Sequence, residues 1–171
     1  MWEQDVKRRH VLGLTSLPLL AISGGWWWGA GHPEIDGAES VDAVLELLDL
    51  LQREPRTMRT GWPLAYVCEH CAQSIEFSID GYPKSRSSLF QHTLGALAFG
   101  VFDRRGRMRH DLQEPIPGAP PLQSTDTPAA IARLATALQR FEGASSFKPH
   151  FAYGLLDQAS YRRAHLMHIA E

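Results

Sequence analysis

The sequence predicts an all-α fold. Apolar residues recur at helical spacing in several segments, Gly- and Pro-containing stretches separate these segments, and no segment shows the strict apolar–polar alternation of a strand. The chain has 171 residues, of which 44% are hydrophobic and 21% charged, an ordinary globular composition. Residues 32–171 are enough for one helical domain with its own core.

The first two predicted helices have clear start and stop signals. The first begins after Ser40, a good N-cap, and closes before Pro55. Its apolar stripe follows the i, i+3, i+4, i+7 pattern: Val41, Val44, Leu45, Leu48 and Leu51. The second covers residues 62–78, with Pro63 in its first turn, and ends at Asp80-Gly81-Tyr82-Pro83. Its expected inner face contains Leu64, Val67, Cys68, Cys71 and Ile75.

The second half of the chain predicts three more helices and one long connection. Residues 88–102 form a helix that is apolar almost all round, so we expect it to be buried. A connection containing Pro115, Pro117, Pro120 and Pro121 follows, and a loop of this length is expected to cross the fold. Thr127-Pro128 opens the next helix, and the last one begins near Asp157 and runs to the end.

Residues 1–31 are predicted to be a separate signal or membrane-anchor segment. Lys7-Arg8-Arg9 precedes an apolar run, and no charged residue follows until Glu34, a length sufficient to cross a bilayer. The arginine pair resembles a twin-arginine export signal. Gly29-Ala30-Gly31 fits a cleavage site, whereas Trp26-Trp27-Trp28 fits an interfacial anchor. We expect a periplasmic or inner-membrane-anchored protein that contacts the membrane through residues 11–30; the alternative is a cytoplasmic one.

Charge and cysteine content exclude some classes of protein. A net charge of −2 provides no electrostatic basis for nucleic-acid binding. Two cysteines cannot build a disulfide framework. A redox Cys-x-x-Cys pair normally begins a helix, where the helix dipole lowers the thiol pKa. Cys68 and Cys71 lie further inside a helix on its inner face, so we predict buried, inert thiols.

Three histidines are the candidate metal ligands. His165 and His168 are three residues apart in the last helix and therefore share a face. His70, in the second helix, supplies a third imidazole if the two helices are neighbours. Three protein ligands are typical of an open, reactive divalent-metal site. The alternative is that each histidine is an ordinary hydrogen-bonded residue.

Other polar residues are candidates for the surroundings of this site. Glu69, Gln73 and Ser74 lie near His70 in the second helix and are candidates to orient the imidazoles. His92 and His150 are candidates to line the mouth of the bundle, although a histidine on an apolar helix, such as His92, is more often a hydrogen-bonded core residue.

Part of the sequence resembles a known superfamily. Four segments carry the resemblance: His70-Cys71-Ala72-Gln73-Ser74-Ile75-Glu76, Leu89-Phe90-Gln91-His92-Thr93-Leu94-Gly95, residues 109–120, and Arg163-Ala164-His165-Leu166-Met167-His168. Together they are similar to a bacterial branch of the DinB-like superfamily, a domain of unknown function, over about residues 40–171. The resemblance implies a DinB-like four-helix bundle with the Pro-rich segment as its crossover connection.

The resemblance also implies a metal, zinc or nickel, held by one histidine of the second helix and two ligands of the last. His70 and His168 match the first two positions. The superfamily's third ligand lies four residues further on, beyond Glu171, so either His165 or Glu171 replaces it, or the site is incomplete. Two functions follow: a metal-dependent hydrolase or thiol transferase acting on a small-molecule substrate, or a non-enzymatic helical-bundle binding protein with a vestigial metal site. The oligomeric state is not predicted.

Overall fold

The fold is seen in a computed structural model that describes residues 35, 38–54, 56, 61–109, 114–123 and 126–171. The predicted signal or anchor segment, residues 1–31, lies outside the described residues. In chain order the elements are α1 (Val41–Arg53), α2 (Leu64–Asp80), α3 (Ser88–Phe90), a π-helical turn (Gln91–Gly95), α4 (Ala96–Arg105), α5 (Thr127–Glu142) and α6 (Gln158–Ala170).

The all-α class is confirmed for the described part of the chain. The described residues contain no strand, and their one β-type pairing is an isolated antiparallel bridge between His150 and Gly154. None of the described helices has the length and apolar character needed to cross a bilayer.

Three helices begin where the sequence predicts, because a side chain caps each N-terminus. The Ser40 hydroxyl accepts a hydrogen bond from the backbone N–H of Ala43, 3.1 Å away. At the start of α5 the Asp126 carboxylate accepts a hydrogen bond from the backbone N–H of Ala129. Before α6 the Asp157 carboxylate accepts one from the backbone N–H of Ser160, 2.8 Å away. Each cap satisfies a donor that the first helical turn leaves without an intrahelical partner.

The core lies between α2 and its neighbours. α2 packs against α5 and α6, and α1 packs against α5. The largest fully buried apolar side chains of this core are Val44, Ile75, Ile131, Leu138, Phe141, Tyr161 and Met167. Arg133 of α5 bridges to α2 at the partly exposed edge, donating to both carboxylate oxygens of Glu76 at 3.0 and 2.7 Å and to Glu69 at 2.5 Å. Burial of the apolar faces and this cross-helix ion pair together hold α2 in place.

The prediction that the third helix is buried on most sides is wrong. α3, the π turn and α4 form one continuous helical stretch, and its buried face contains Gln91 and Gly95. By contrast, Leu89, Leu94 and Leu97 are 76%, 62% and 66% exposed. Helical periodicity groups Leu94 and Leu97 on one side, but it does not decide which side the domain covers.

This helical stretch packs on the loop between α5 and α6. The Gln91 side-chain amide donates to the backbone carbonyls of His150 and Phe151, at 3.2 and 3.1 Å. Gly95 lies directly against the carbonyl of Ala152, where an added Cβ would be 1.9 Å from the oxygen. The loop thereby reaches the helix backbone itself, and glycine is the residue that permits this approach.

The Pro-rich connection runs beside α2 where the structure describes it. The Gln73 side-chain amide donates to the carbonyl of Pro120 at 3.1 Å, and Ile116 is buried. The connection therefore covers one side of α2 and contributes a wall to the cavity described next.

Candidate functional site

A cavity of about 210 Å³ opens between α2, α6, the Pro-rich connection and the loop before α6. All three histidines predicted as ligands, His70, His165 and His168, line it, and His150 joins them. Apolar side chains make up much of the remaining wall: Phe90, Met108, Ile116, Phe151 and Ala164. The arrangement is a mostly apolar pocket with a few convergent polar groups, which is the usual form of a small-molecule site.

His70 and His168 lie close enough to share one ion. Their ring centroids are 5.0 Å apart with the planes inclined at 56°. A metal–nitrogen distance of about 2.1 Å and a ring radius of roughly 1.1 Å place two imidazoles on one tetrahedral ion about 5.2 Å apart, centroid to centroid. The Trp62 ring packs edge-on against His70 at 5.3 Å and restricts the imidazole's rotation.

His165 lies one turn earlier in α6, within the same cavity wall. The Tyr161 ring stacks on it at 5.5 Å, and Phe141 packs edge-on at 5.1 Å. Burial lowers the pKa of His165 to about 3, so its imidazole is neutral at physiological pH. Among the described residues, no hydrogen-bond partner is present for its buried Nε2 atom.

The three histidines share a cavity without forming a complete ligand cluster. Nowhere in the described ranges do three His, Cys, Asp or Glu side chains come close enough to hold one ion. The Glu171 carboxylate lies near this region: burial, followed by the charge of Glu171, raises the pKa of the cavity residue Tyr153 to about 12.

His150, which the sequence placed only at the mouth of the bundle, lies in the cavity wall. Its Nδ1 accepts hydrogen bonds from the backbone N–H groups of Ala152 and Tyr153, at 3.1 and 3.2 Å. Burial, then repulsion between the protonated forms of His150 and His165, lowers the His150 pKa to about 3. A neutral imidazole that accepts at Nδ1 carries its proton on Nε2. The signal in the sequence was Gly154, whose φ of 79° closes the tight turn that supplies these donors.

The Tyr153 ring fixes the orientation of this imidazole. The two rings are stacked with centroids 4.2 Å apart and planes inclined by 7°. Tyr82 packs against the same ring at 5.0 Å. His150 is therefore a rigid, neutral side chain at the cavity wall.

Other predicted site neighbours have different positions. Ser74 lines the cavity, as expected for a group near the ligands. Glu69 instead pairs with Arg133 on the side of α2 that meets α5. His92 is exposed, and its Nδ1 lies 2.7 Å from the carbonyl of Ser88. His92 therefore does not belong to the site.

The two cysteines are core residues, as predicted. Both thiols are free and buried on α2. Burial raises the pKa of Cys68 to about 11 and that of Cys71 to about 12. Such thiols are protonated at neutral pH and are therefore poor nucleophiles and poor metal ligands.

Comparison with known proteins gives the family but no named relative. Neither a curated protein nor a solved structure matches the chain. A family model does match, over residues 36–171, which include α1 to α6 and all four cavity histidines. On that match the chain belongs to the family described as "Protein of unknown function (DUF1569)".

Proposed function

We propose that the cavity binds a divalent metal ion, zinc or nickel, and that the protein is a metal-dependent hydrolase or thiol transferase with a DinB-like four-helix-bundle fold. The ligands in this proposal are His70, His168 and His165. The observation that carries it is the 5.0 Å separation of the His70 and His168 rings in the cavity that His165 also lines. The Pro-rich connection acts as the crossover that closes the bundle beside α2.

The chemistry of the donor set fits a metal ion. A histidine must be neutral to coordinate, and burial keeps the His165 pKa far below physiological pH. The buried Nε2 of His165 has no hydrogen-bond partner among the described residues. A buried polar atom normally has a partner, so this nitrogen is available to coordinate a metal ion. A divalent ion at this position supplies Lewis acidity, which lowers the pKa of a water or thiol that reaches it.

The remaining cavity residues have separate tasks. His150 donates a hydrogen bond through Nε2 and can hold a carbonyl or anionic oxygen of a substrate without itself changing charge. The apolar walls contributed by Phe90, Phe151 and Ile116 exclude water from the site. A volume of about 210 Å³ lies below the roughly 300–1,000 Å³ of pockets for drug-sized ligands, so the substrate is a small molecule.

Elemental analysis of the purified full-length protein tests the metal site. We expect about one equivalent of zinc or nickel after loading and dialysis. His70→Ala and His168→Ala should each remove it, and His165→Ala should weaken binding. His92→Ala is the matched control, because this exposed histidine lies outside the cavity. Equal metal content in His70→Ala and His92→Ala would refute the proposed ligand set.

The second candidate is a non-enzymatic binding protein with a vestigial metal site. The absence of a complete three-ligand group within the described residues favours it. In that case the loaded wild-type protein retains no metal, while small molecules still bind in the cavity. A small molecule that binds in the cavity should raise the thermal unfolding temperature of the wild type. His150→Ala should reduce this increase if the cavity is the binding site.

We also propose that the protein is periplasmic or anchored at the inner membrane, because the arginine pair resembles an export signal and residues 11–30 are apolar. Replacement of Arg8 and Arg9 by lysine should leave the protein in the cytoplasmic fraction if the twin-arginine route reads them. Unchanged fractionation would favour the cytoplasmic alternative.

A further inference from the structure

The exposed side of the helical stretch 88–105 carries an apolar ridge. We call this ridge the docking face and define it by four residues: Leu89, Leu94, Leu97 and Val101. Three of the four are more than 60% exposed, and Val101 is 37% exposed. The opposite side of the same helix, at Gln91 and Gly95, is buried against the loop before α6.

The docking face lies between two groups of cationic side chains. Residues 84–109 contain six lysines and arginines against one acidic residue, Asp103, although the whole chain has a net charge of −2. All six cationic residues are exposed: Lys84 and Arg86 before the helix, and Arg104, Arg105, Arg107 and Arg109 at its end. The single carboxylate, Asp103, makes an ion pair with Arg163 of α6.

We propose that this surface docks on an anionic lipid membrane. An interfacial helix buries its apolar side among the acyl chains and places lysine and arginine among the lipid head groups, which is the pattern seen here. The 18-residue helical stretch is about 27 Å long, so the cations at its two ends can contact well-separated anionic lipids. A second copy of this chain would bring like charges together along the same edge, which makes a self-dimer the less favourable occupant.

None of the four docking-face residues lines the cavity or belongs to residues 1–31. Every variant compared below retains the cavity residues and residues 1–31, so a difference between variants reports on the helix alone. All the substituted side chains are solvent-exposed, and such changes are expected to leave the fold intact.

Vesicle co-sedimentation of the full-length protein measures the apolar contribution. Leu94→Ser/Leu97→Ser should reduce partitioning onto phosphatidylglycerol vesicles by about tenfold for each leucine. Leu47→Ser/Leu50→Ser is the matched control, since these leucines are 44% and 42% exposed on α1. Equal partitioning of the two double variants would overturn the proposal.

The electrostatic contribution is tested in the same assay. Arg105→Gln/Arg107→Gln should lower binding to phosphatidylglycerol vesicles by roughly fivefold for each charge. Binding to phosphatidylcholine vesicles should be weak and nearly unchanged. Arg53→Gln/Arg56→Gln changes the net charge equally at a different place and should have a smaller effect. Equal losses in both arginine variants would contradict a localised docking face.

A third measurement distinguishes binding to lipid from association with a second copy of the chain. The buried native thiols react poorly, so a cysteine introduced by Leu97→Cys can be labelled selectively with an environment-sensitive dye. Its emission should shift on addition of phosphatidylglycerol vesicles, whereas a dye at Leu47→Cys should not respond. A shift without vesicles that grows with protein concentration would identify self-association and overturn the lipid proposal.

Discussion

Gly95→Ala should destabilise the domain although the position is helical. The backbone of Gly95 has φ −64° and ψ −50°, so alanine suffers no conformational strain there. The new Cβ, however, would lie 1.9 Å from the carbonyl oxygen of Ala152 and 3.0 Å from its carbonyl carbon. A close carbon–oxygen contact is about 3.3 Å, so the helix and the loop would have to separate by about 1.4 Å.

The magnitude follows from two opposing effects. Overpacking of this kind costs about 1–3 kcal/mol, or more when backbone must move. The helix propensity of alanine over glycine returns about 1 kcal/mol. Separation of the two segments also strains the hydrogen bonds from Gln91 to the carbonyls of His150 and Phe151. We therefore expect the free energy of unfolding to fall by about 2 kcal/mol.

Gly100→Ala is the matched control in the same helix. Nothing lies within 4 Å of the Cβ that this substitution would add. The same change of residue should therefore raise stability by about 0.5–1 kcal/mol. Urea unfolding followed by circular dichroism measures both variants. If Gly95→Ala is as stable as Gly100→Ala, the close approach of the helix to the Ala152 carbonyl does not constrain the fold.

Two further predictions concern the core and a helix cap. Cys68→Ala/Cys71→Ala should cost about 1–2 kcal/mol in a denaturation experiment because small cavities form, with metal content unchanged; loss of metal would make the thiols ligands. Asp157→Ala should cost about 1 kcal/mol at neutral pH. Hydrogen bonds from Ser160 lower the pKa of the Asp157 carboxyl, so its contribution is present above about pH 4 and is lost as the pH falls further. The stability difference between wild type and variant should therefore shrink in acid, and a difference that stays constant down to pH 2 would contradict this origin.

Local signals in the sequence were sufficient to predict where helices begin. Ser40 and Asp157 were predicted to lie at helix starts and cap α1 and α6 through hydrogen bonds to residues three positions ahead. Cys68 and Cys71 were predicted to be core residues from their positions on the inner face of α2, and their burial confirms this prediction. These features depend on contacts within one turn of helix, which the order of residues alone specifies.

The cavity depended on contacts that the local pattern does not contain. The spacing of His165 and His168 predicted a shared face, but only helix packing brings His168 to within 5.0 Å of the His70 ring. The role of His150 arises from backbone donors in a turn and from Gln91, which is 59 residues away in the chain. Such a long-range hydrogen bond has no signature in a local pattern.

The all-α class, the helix caps and most helix boundaries could be predicted from the sequence, because they depend on hydrogen bonds and side-chain spacing within a few residues. The covered face of each helix depends instead on how distant segments pack together. Leu94 and Leu97 belong to an apolar stripe typical of a core, yet they face outward because Gly95 is the position at which the loop carbonyl of Ala152 meets the helix. Periodicity identifies the apolar face of a helix, but the packing of distant segments determines whether that face or the opposite one is buried.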